Sequence, residues 1–207
     1  MNSQKKITTA LISVYHKENL EEIVKQLHAL NITIYSTGGT KEYIEKLNIP
    51  VTSVEEITHY PSFLGGRVKT LHPALFGGIL FRRKNTTDEK EINQLHIQPI
   101  DLVIVDVYPF QETVDAKKSE DDIIEKIDIG GISLIRAAAK NFEDVLVISS
   151  KIQYPFLLDL LHTKKGYTDL NDRKQSAGFA FHVSSSYDTH IHHYLNSSTP
   201  IFKISSK

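Results

Sequence analysis

A chain of 207 residues and 23.5 kDa suits one domain with a real hydrophobic core, and 40% apolar with 24% charged residues argues against wholesale disorder. The formal charge is −1, from 24 Lys and Arg against 25 Asp and Glu, so nothing draws the whole molecule to nucleic acid or to an anionic membrane. Cysteine is absent, which excludes disulfides, thiolate zinc sites and thiol nucleophiles and fits a cytoplasmic setting; no apolar run approaches the roughly 18 residues of a membrane span.

Lys5 and Lys6 precede an apolar stretch from Ile7 to Val14. That stretch is short for a signal peptide and turns polar at Tyr15-His16-Lys17-Glu18, so it reads as a buried first strand over Ala10–Val14. Leu20, Ile23, Val24, Leu27 and Leu30 then mark one face of a helix. Ile32–Tyr35 is the second strand, and Thr40 can cap a helix to about Leu47. Val51–Val54 is a short third strand. The segment from Pro61 to Phe81 has no clean period. Glu89–His96 reads as a helix and Leu102–Val107 as the strongest strand. Ser119 opens an acidic helix start, with the helix running through Ile127. Ile132–Asn141 is a helix, Val145–Ile148 the last central strand, and helices over about 153–162 and 169–195 finish the domain.

Strands separated by helices imply a parallel sheet covered on both faces. Domain boundaries of 1–196 and a polar tail or linker start at 197–207 follow from the loss of apolar period after about Leu195.

In open parallel sheets ligands bind at the carboxyl ends of strands. Four polar sets should meet there: Ser13 to Lys17, Ser36 to Thr40, Asp106 to Tyr108, and Asp128 to Gly131. Eight of ten glycines fall in four pairs, at 38, 65, 77 and 130. Paired glycines can turn backbone N–H groups toward an anion, and a helix N-terminus adds its dipole. Without a ligand, the same pattern is a tight turn. Arg67, Lys69 and Thr70 add two cations and a hydroxyl suited to a phosphate or an oxyanion, or else form a solvated basic loop. Arg136 and Lys140 share a helix face; if that face meets the site, burial would fit Lys140 for proton transfer, and otherwise it is a surface lysine.

Other chemistries lack their patterns. No Walker A spacing, no Gly-x-Gly-x-x-Gly loop and no nucleophile elbow occurs. Ten histidines include His190, His192 and His193, but none has metal-ligand spacing with a carboxylate.

Ser36-Thr37-Gly38-Gly39-Thr40, Gly66-Arg67-Val68-Lys69-Thr70-Leu71-His72-Pro73, Tyr108-Pro109-Phe110, and Asp128-Ile129-Gly130-Gly131 followed by Arg136-Ala137-Ala138-Ala139-Lys140-Asn141 resemble the IMP cyclohydrolase domain. That domain is the N-terminal part of the bifunctional formyltransferase/IMP cyclohydrolase proteins of purine biosynthesis. The resemblance runs from about residue 10 to residue 195. It implies a methylglyoxal-synthase-like α/β fold and a hydrolase of the cyclic amidine class. The reaction it implies is ring closure of 5-formamidoimidazole-4-carboxamide ribotide to inosine monophosphate with loss of water. It implies no cofactor and no metal. The partner it implies is a small-molecule nucleotide, with no nucleic acid or membrane; a homodimer is compatible, and formyl transfer is not expected of this chain.

By this resemblance Lys69, Tyr108, Asp128 and Lys140 surround the reacting groups; the chemistry of ring closure then gives the protons to Lys140 and Asp128 and the developing charge on the oxygen to Lys69 and Tyr108. Ser13, Tyr15, Lys17, Thr37, Gly38, Gly39, Thr40, Arg67, Val68, Thr70, Asp106, Ile129, Gly130 and Gly131 contact the nucleotide. Two departures stand out. Asp106 replaces the family's usual Asn, and an ionised acid accepts hydrogen bonds but cannot donate them. Tyr15-His16 replaces the Ser-Asp usual before the lysine. A methylglyoxal synthase, and a regulatory nucleotide-binding module such as the effector domain of carbamoyl phosphate synthetase, are the alternatives on the same fold.

Overall fold

The computed structural model describes residues 4–196; the expected tail at 197–207 lies outside them. In chain order the elements begin with β1 (Lys5–Lys6), β2 (Thr9–Ser13), α1 (Leu20–Ala29), β3 (Thr33–Ser36), α2 (Gly38–Lys46), β4 (Thr52–Ser53) and α3 (Val54–Thr58). There follow α4 (Pro73–Leu80), α5 (Thr86–Gln94), β5 (Leu102–Val105), α6 (Phe110–Asp115), α7 (Glu120–Ile124) and α8 (Gly130–Lys140). The last are β6 (Leu146–Ile148), α9 (Tyr154–Thr163), β7 (Tyr167–Thr168) and α10 (Leu170–Asn196).

Five strands form one parallel sheet in the order β4-β3-β2-β5-β6. The expected α/β, methylglyoxal-synthase-like architecture is what is found, with a small antiparallel pair, β1 with β7, set apart from it. Alternate strand residues point to opposite faces, and each face has its own core. Ile12, Ile34, Ile104 and Ile148 pack with α1 and α9. Leu11, Val103 and Val147 pack with α4, α8 and α10 on the other side. Burial on both faces explains why β5 reads as an uninterrupted apolar run. Each fully buried Ile or Leu here contributes about 1.5–3 kcal/mol.

Three readings of the sequence need correction. The aperiodic stretch before Phe81 contains α4. Pro73 stands in its first turn and the His72 ring accepts the Ala74 N–H at 3.2 Å. Its period is masked because Pro-Ala-Leu-Phe-Gly-Gly-Ile-Leu is apolar nearly all round. The pair at Gly77-Gly78 serves packing, not an anion turn: a Cβ on Gly78 would lie 2.3 Å from the Gln98 carbonyl oxygen. Finally, α2 starts at Gly38 with Thr37 in the cap position, so Thr40 is inside the helix and not its cap.

Candidate active site

Strands β3, β2 and β5 are neighbours, so the segments leaving their carboxyl ends meet. They enclose a cleft of about 590 Å³ with the loop over 65–70 and the segment over 124–131. Ser13, Tyr15, Lys17, Thr37, Gly38, Gly39 and Thr40 line it, as do Arg67, Lys69, Thr70, Asp106 and Tyr108. Asp128, Ile129, Gly130 and Gly131 complete the predicted set. Val68 is not part of the wall; it forms an antiparallel bridge with Phe63 that closes the loop behind Arg67 and Lys69.

Two helices aim their N-termini into this space. At α2 the Thr37 side chain makes no capping bond, which leaves the first-turn N–H groups open. The Thr37 hydroxyl is the one buried side-chain polar atom without a partner among the described residues. Gly38 has φ +52°, a conformation glycine adopts cheaply. Beside it the Lys69 ammonium lies 3.5 Å from where a Gly38 Cβ would be, and the Lys69 chain crosses Gly66, whose φ is +92°. A helix N-terminus, a free hydroxyl and a cation make an anion cradle. Lys69 lies on the α2 side of the cleft, beside this cradle.

Thr40 does something else. Its hydroxyl donates to the Val14 carbonyl at 2.9 Å and accepts the Val14 N–H at 3.1 Å. It ties α2 to the end of β2. Lys17 is similarly engaged, donating to the carbonyls of Val14 and Tyr15 at 2.6 and 2.9 Å; burial pulls its pKa down, against the nearby Asp106. Arg67 is paired with Glu125. Asp106 accepts N–H bonds from Tyr15 and from His16, the latter at 3.0 Å, and pairs with the His16 ring at 2.8 Å. An acid at 106 meets a histidine at 16, and the carboxylate shapes the loop between β2 and α1.

The other end of the cleft is built on α8. Asp128, only 8% exposed, accepts the Gly131 N–H at 2.6 Å, and the backbone N–H groups of Ile132 and Tyr108 nearby favour its charge. Burial raises its pKa, and the N–H bonds only partly offset that. The Tyr108 phenol is pushed up as well, first by desolvation and then by the Asp128 charge. A carboxyl and a phenol so perturbed, side by side in a cleft, form a candidate acid–base pair.

Lys140 is not there. It stands at the C-terminal end of α8, about 15 Å along the helix from Gly130 at 1.5 Å per residue, and it is exposed. With Arg136, Lys174 and Phe181 it lines a separate hollow between α4, α8 and α10. The shared face of Arg136 and Lys140 is real, but it is turned away from the cleft.

Two residues outside the motifs also frame the cleft. Lys126 lines the cleft with its ammonium 5.4 Å from the Tyr15 ring centre and 5.6 Å from that of Tyr108. Tyr187, on α10, accepts the Asp128 N–H and donates to the Lys126 carbonyl, each at 2.7 Å. No local motif marks either one; only α10 crossing behind the 124–131 segment brings Tyr187 into place.

The family model for the MGS-like domain matches residues 19–133, and that for the AICARFT/IMPCHase bienzyme matches 138–206. The "Bifunctional purine biosynthesis protein PurH" of Bacteroides thetaiotaomicron is 54% identical over 95% of this chain and 39% of its own length. The protein of that name from Lactococcus lactis subsp. lactis is 43% identical over 93% of the chain and 37% of its own. That of Aquifex aeolicus is 46% identical over 86% and 35%. The chain therefore spans well under half the length of these relatives. Among solved structures, "Crystal structure of ForH" superposes with a TM-score of 0.81 at 30% identity, covering 93% of this chain and 98% of that one. The arrangement of the cleft and these likenesses lead to one assignment: the chain belongs to the MGS-like domain family and matches the MGS-like and AICARFT/IMPCHase region of the bifunctional purine biosynthesis proteins.

Proposed function

We propose that the cleft closes the six-membered ring of a purine nucleotide, converting 5-formamidoimidazole-4-carboxamide ribotide to inosine monophosphate and water. The observation that carries this reading is the meeting of an anion cradle at α2 with the buried Asp128 carboxyl and the neighbouring Tyr108 phenol inside one cleft. The sequence likeness to proteins named for purine biosynthesis supports the same substrate class.

The 5′-phosphate sits on the α2 N–H groups, the Thr37 hydroxyl and Lys69. That places the base toward Asp128 and Tyr108. The carboxamide nitrogen is a poor nucleophile until it loses a proton. Asp128, with a pKa raised by burial, takes that proton. The nitrogen attacks the formyl carbon, a C–N bond forms, and negative charge collects on the formyl oxygen. Tyr108 and backbone N–H groups at the start of α8 stabilise that charge. The oxygen leaves as water, carrying one hydrogen from the carboxamide nitrogen and one from the formamido nitrogen. Fixing both ends of the substrate removes much of the entropic part of the barrier.

Purified protein mixed with the formylated ribotide tests the reading. A rise in ultraviolet absorbance from the fused ring supports it. Nucleotide binding with no rise would replace it with a regulatory binding module.

A further inference from the structure

The reacting end of the cleft has two carboxylates nearby and needs a cation. Asp128 and Tyr108 face the space where an oxyanion must form, and Glu125 also lines it. The cations lining the cleft are Lys17, Arg67, Lys69 and Lys126. Lys17 is spent on the carbonyls of Val14 and Tyr15, and Arg67 on Glu125. Lys69 lies against Gly38 at the anion cradle. Lys140 opens onto the other hollow.

That leaves Lys126. Among the described residues it makes no ion pair; the neighbouring Glu125 feels its charge but is paired with Arg67, and Asp106 is paired with His16. Its ammonium is bracketed by two aromatic rings that themselves meet edge to face at 5.6 Å. Cation–π attraction holds a charge in such a corner without neutralising it. The backbone beneath is fixed by the Tyr187 hydroxyl on the Lys126 carbonyl. An ammonium outside any ion pair, on a pinned backbone beside Tyr108 and two residues before Asp128, is well placed for charge that exists only in the transition state.

We infer that Lys126, clasped by Tyr15 and Tyr108, is the catalytic cation of the reacting end, stabilising the oxyanion formed when the carboxamide nitrogen attacks the formyl carbon. This rests on the ring-closure reading. Because the interaction arises only as charge develops, removing it lowers kcat and leaves KM nearly alone.

The test is steady-state kinetics on the full chain with the formylated ribotide, comparing wild type, Lys126→Gln and Lys126→Arg, with thermal melts as a check on folding. Lys126→Gln is expected to lose about a hundredfold in kcat, in the range of a removed oxyanion donor, with KM within about twofold. Lys126→Arg keeps the charge on the aromatic corner and recovers most of the rate. Wild-type kcat in Lys126→Gln, while the wild type turns over, overturns the inference and leaves ring closure standing. A loss seen chiefly in KM, or a loss in Lys126→Arg equal to that in Lys126→Gln, also overturns it. A wild-type protein that forms no product overturns the ring-closure reading, and this inference with it.

Discussion

The Tyr187 hydroxyl accepts the backbone N–H of Asp128 at 2.7 Å and at the same time donates to the Lys126 carbonyl at 2.7 Å. A buried residue of the long C-terminal helix thereby holds the two ends of a turn whose side chains face the cleft. Its ring packs edge to face on Phe110 at 6.2 Å, and burial pushes its pKa to about 12, so the proton it donates is retained across the physiological range. Tyr187→Phe removes both bonds and leaves a buried N–H and C=O unpaired, a loss of about 1–3 kcal/mol. The prediction is a melting temperature lower by several degrees and a kcat reduced more than the affinity for inosine monophosphate. Unchanged kcat would show that the turn is held by other contacts.

Thr37 and Thr40 lie three residues apart at the same helix start but have opposite tasks. Thr40→Val strands the Val14 N–H and leaves the Val14 carbonyl to the Lys17 ammonium alone, so it should destabilise by about 1–3 kcal/mol. Thr37→Val deletes an unpartnered hydroxyl, so stability should hold or rise while the ribotide's KM increases. Melting curves and KM for the two variants check this; a Thr40→Val protein with normal melting and raised KM would reverse the assignment.

Gly131 has no space for a side chain. A Cβ there would stand 2.5 Å from an Asp128 carboxylate oxygen, and that carboxylate takes the Gly131 N–H. We predict that Gly131→Ala displaces Asp128 and cuts kcat by about two orders of magnitude, as expected when a reacting group is moved by an ångström. Near-normal kcat in Gly131→Ala would mean that Asp128 is not the base.

The raised pKa of Asp128 has two consequences of opposite sign. As a base it must be ionised, so the acid limb of kcat against pH should lie above the ordinary Asp value of about 3.9. For stability, a carboxyl whose folded pKa is raised favours the fold while protonated, and that contribution is lost as pH rises through the folded pKa. Asp128→Asn is therefore predicted to be inactive yet more resistant to heat than wild type at neutral pH. Equal melting of the two proteins at pH 7 would contradict the burial argument.

Lys140 is predicted to be dispensable for chemistry. Lys140→Gln alters an exposed residue outside the cleft, so kcat should stay within about twofold of wild type. A large loss would require a route from the outer hollow into the site.

Much of the fold was legible in the chain. The apolar runs at 10–14, 32–35, 102–107 and 145–148 became β2, β3, β5 and β6 within one or two residues, the last at the sheet edge and not in its centre, because a strand buried on both faces needs continuous apolar sequence whatever surrounds it. The glycine turn at 38 reached the cleft because it follows the carboxyl end of β3, and those at 65 and 130 reached it on the two segments that close over that edge. The pair at 77 did not, since the same residue type also serves where a helix passes close to another backbone, and spacing does not separate the two uses.

What sequence alone determined was local: periodicity, turn chemistry, and the fact that Arg136 and Lys140 occupy one helix face. Which way that face turns was decided only by tertiary structure. Helix α8 enters from the cleft at Gly130 and runs away from it between α4 and α10, so rise along the axis carries Lys140 out of reach. The choice of Lys126 and Tyr187 was likewise tertiary. A charge acquires its role from the carboxylates and rings packed around it, and those neighbours come from segments as distant in the chain as Tyr15 on one side and Tyr187 on the other.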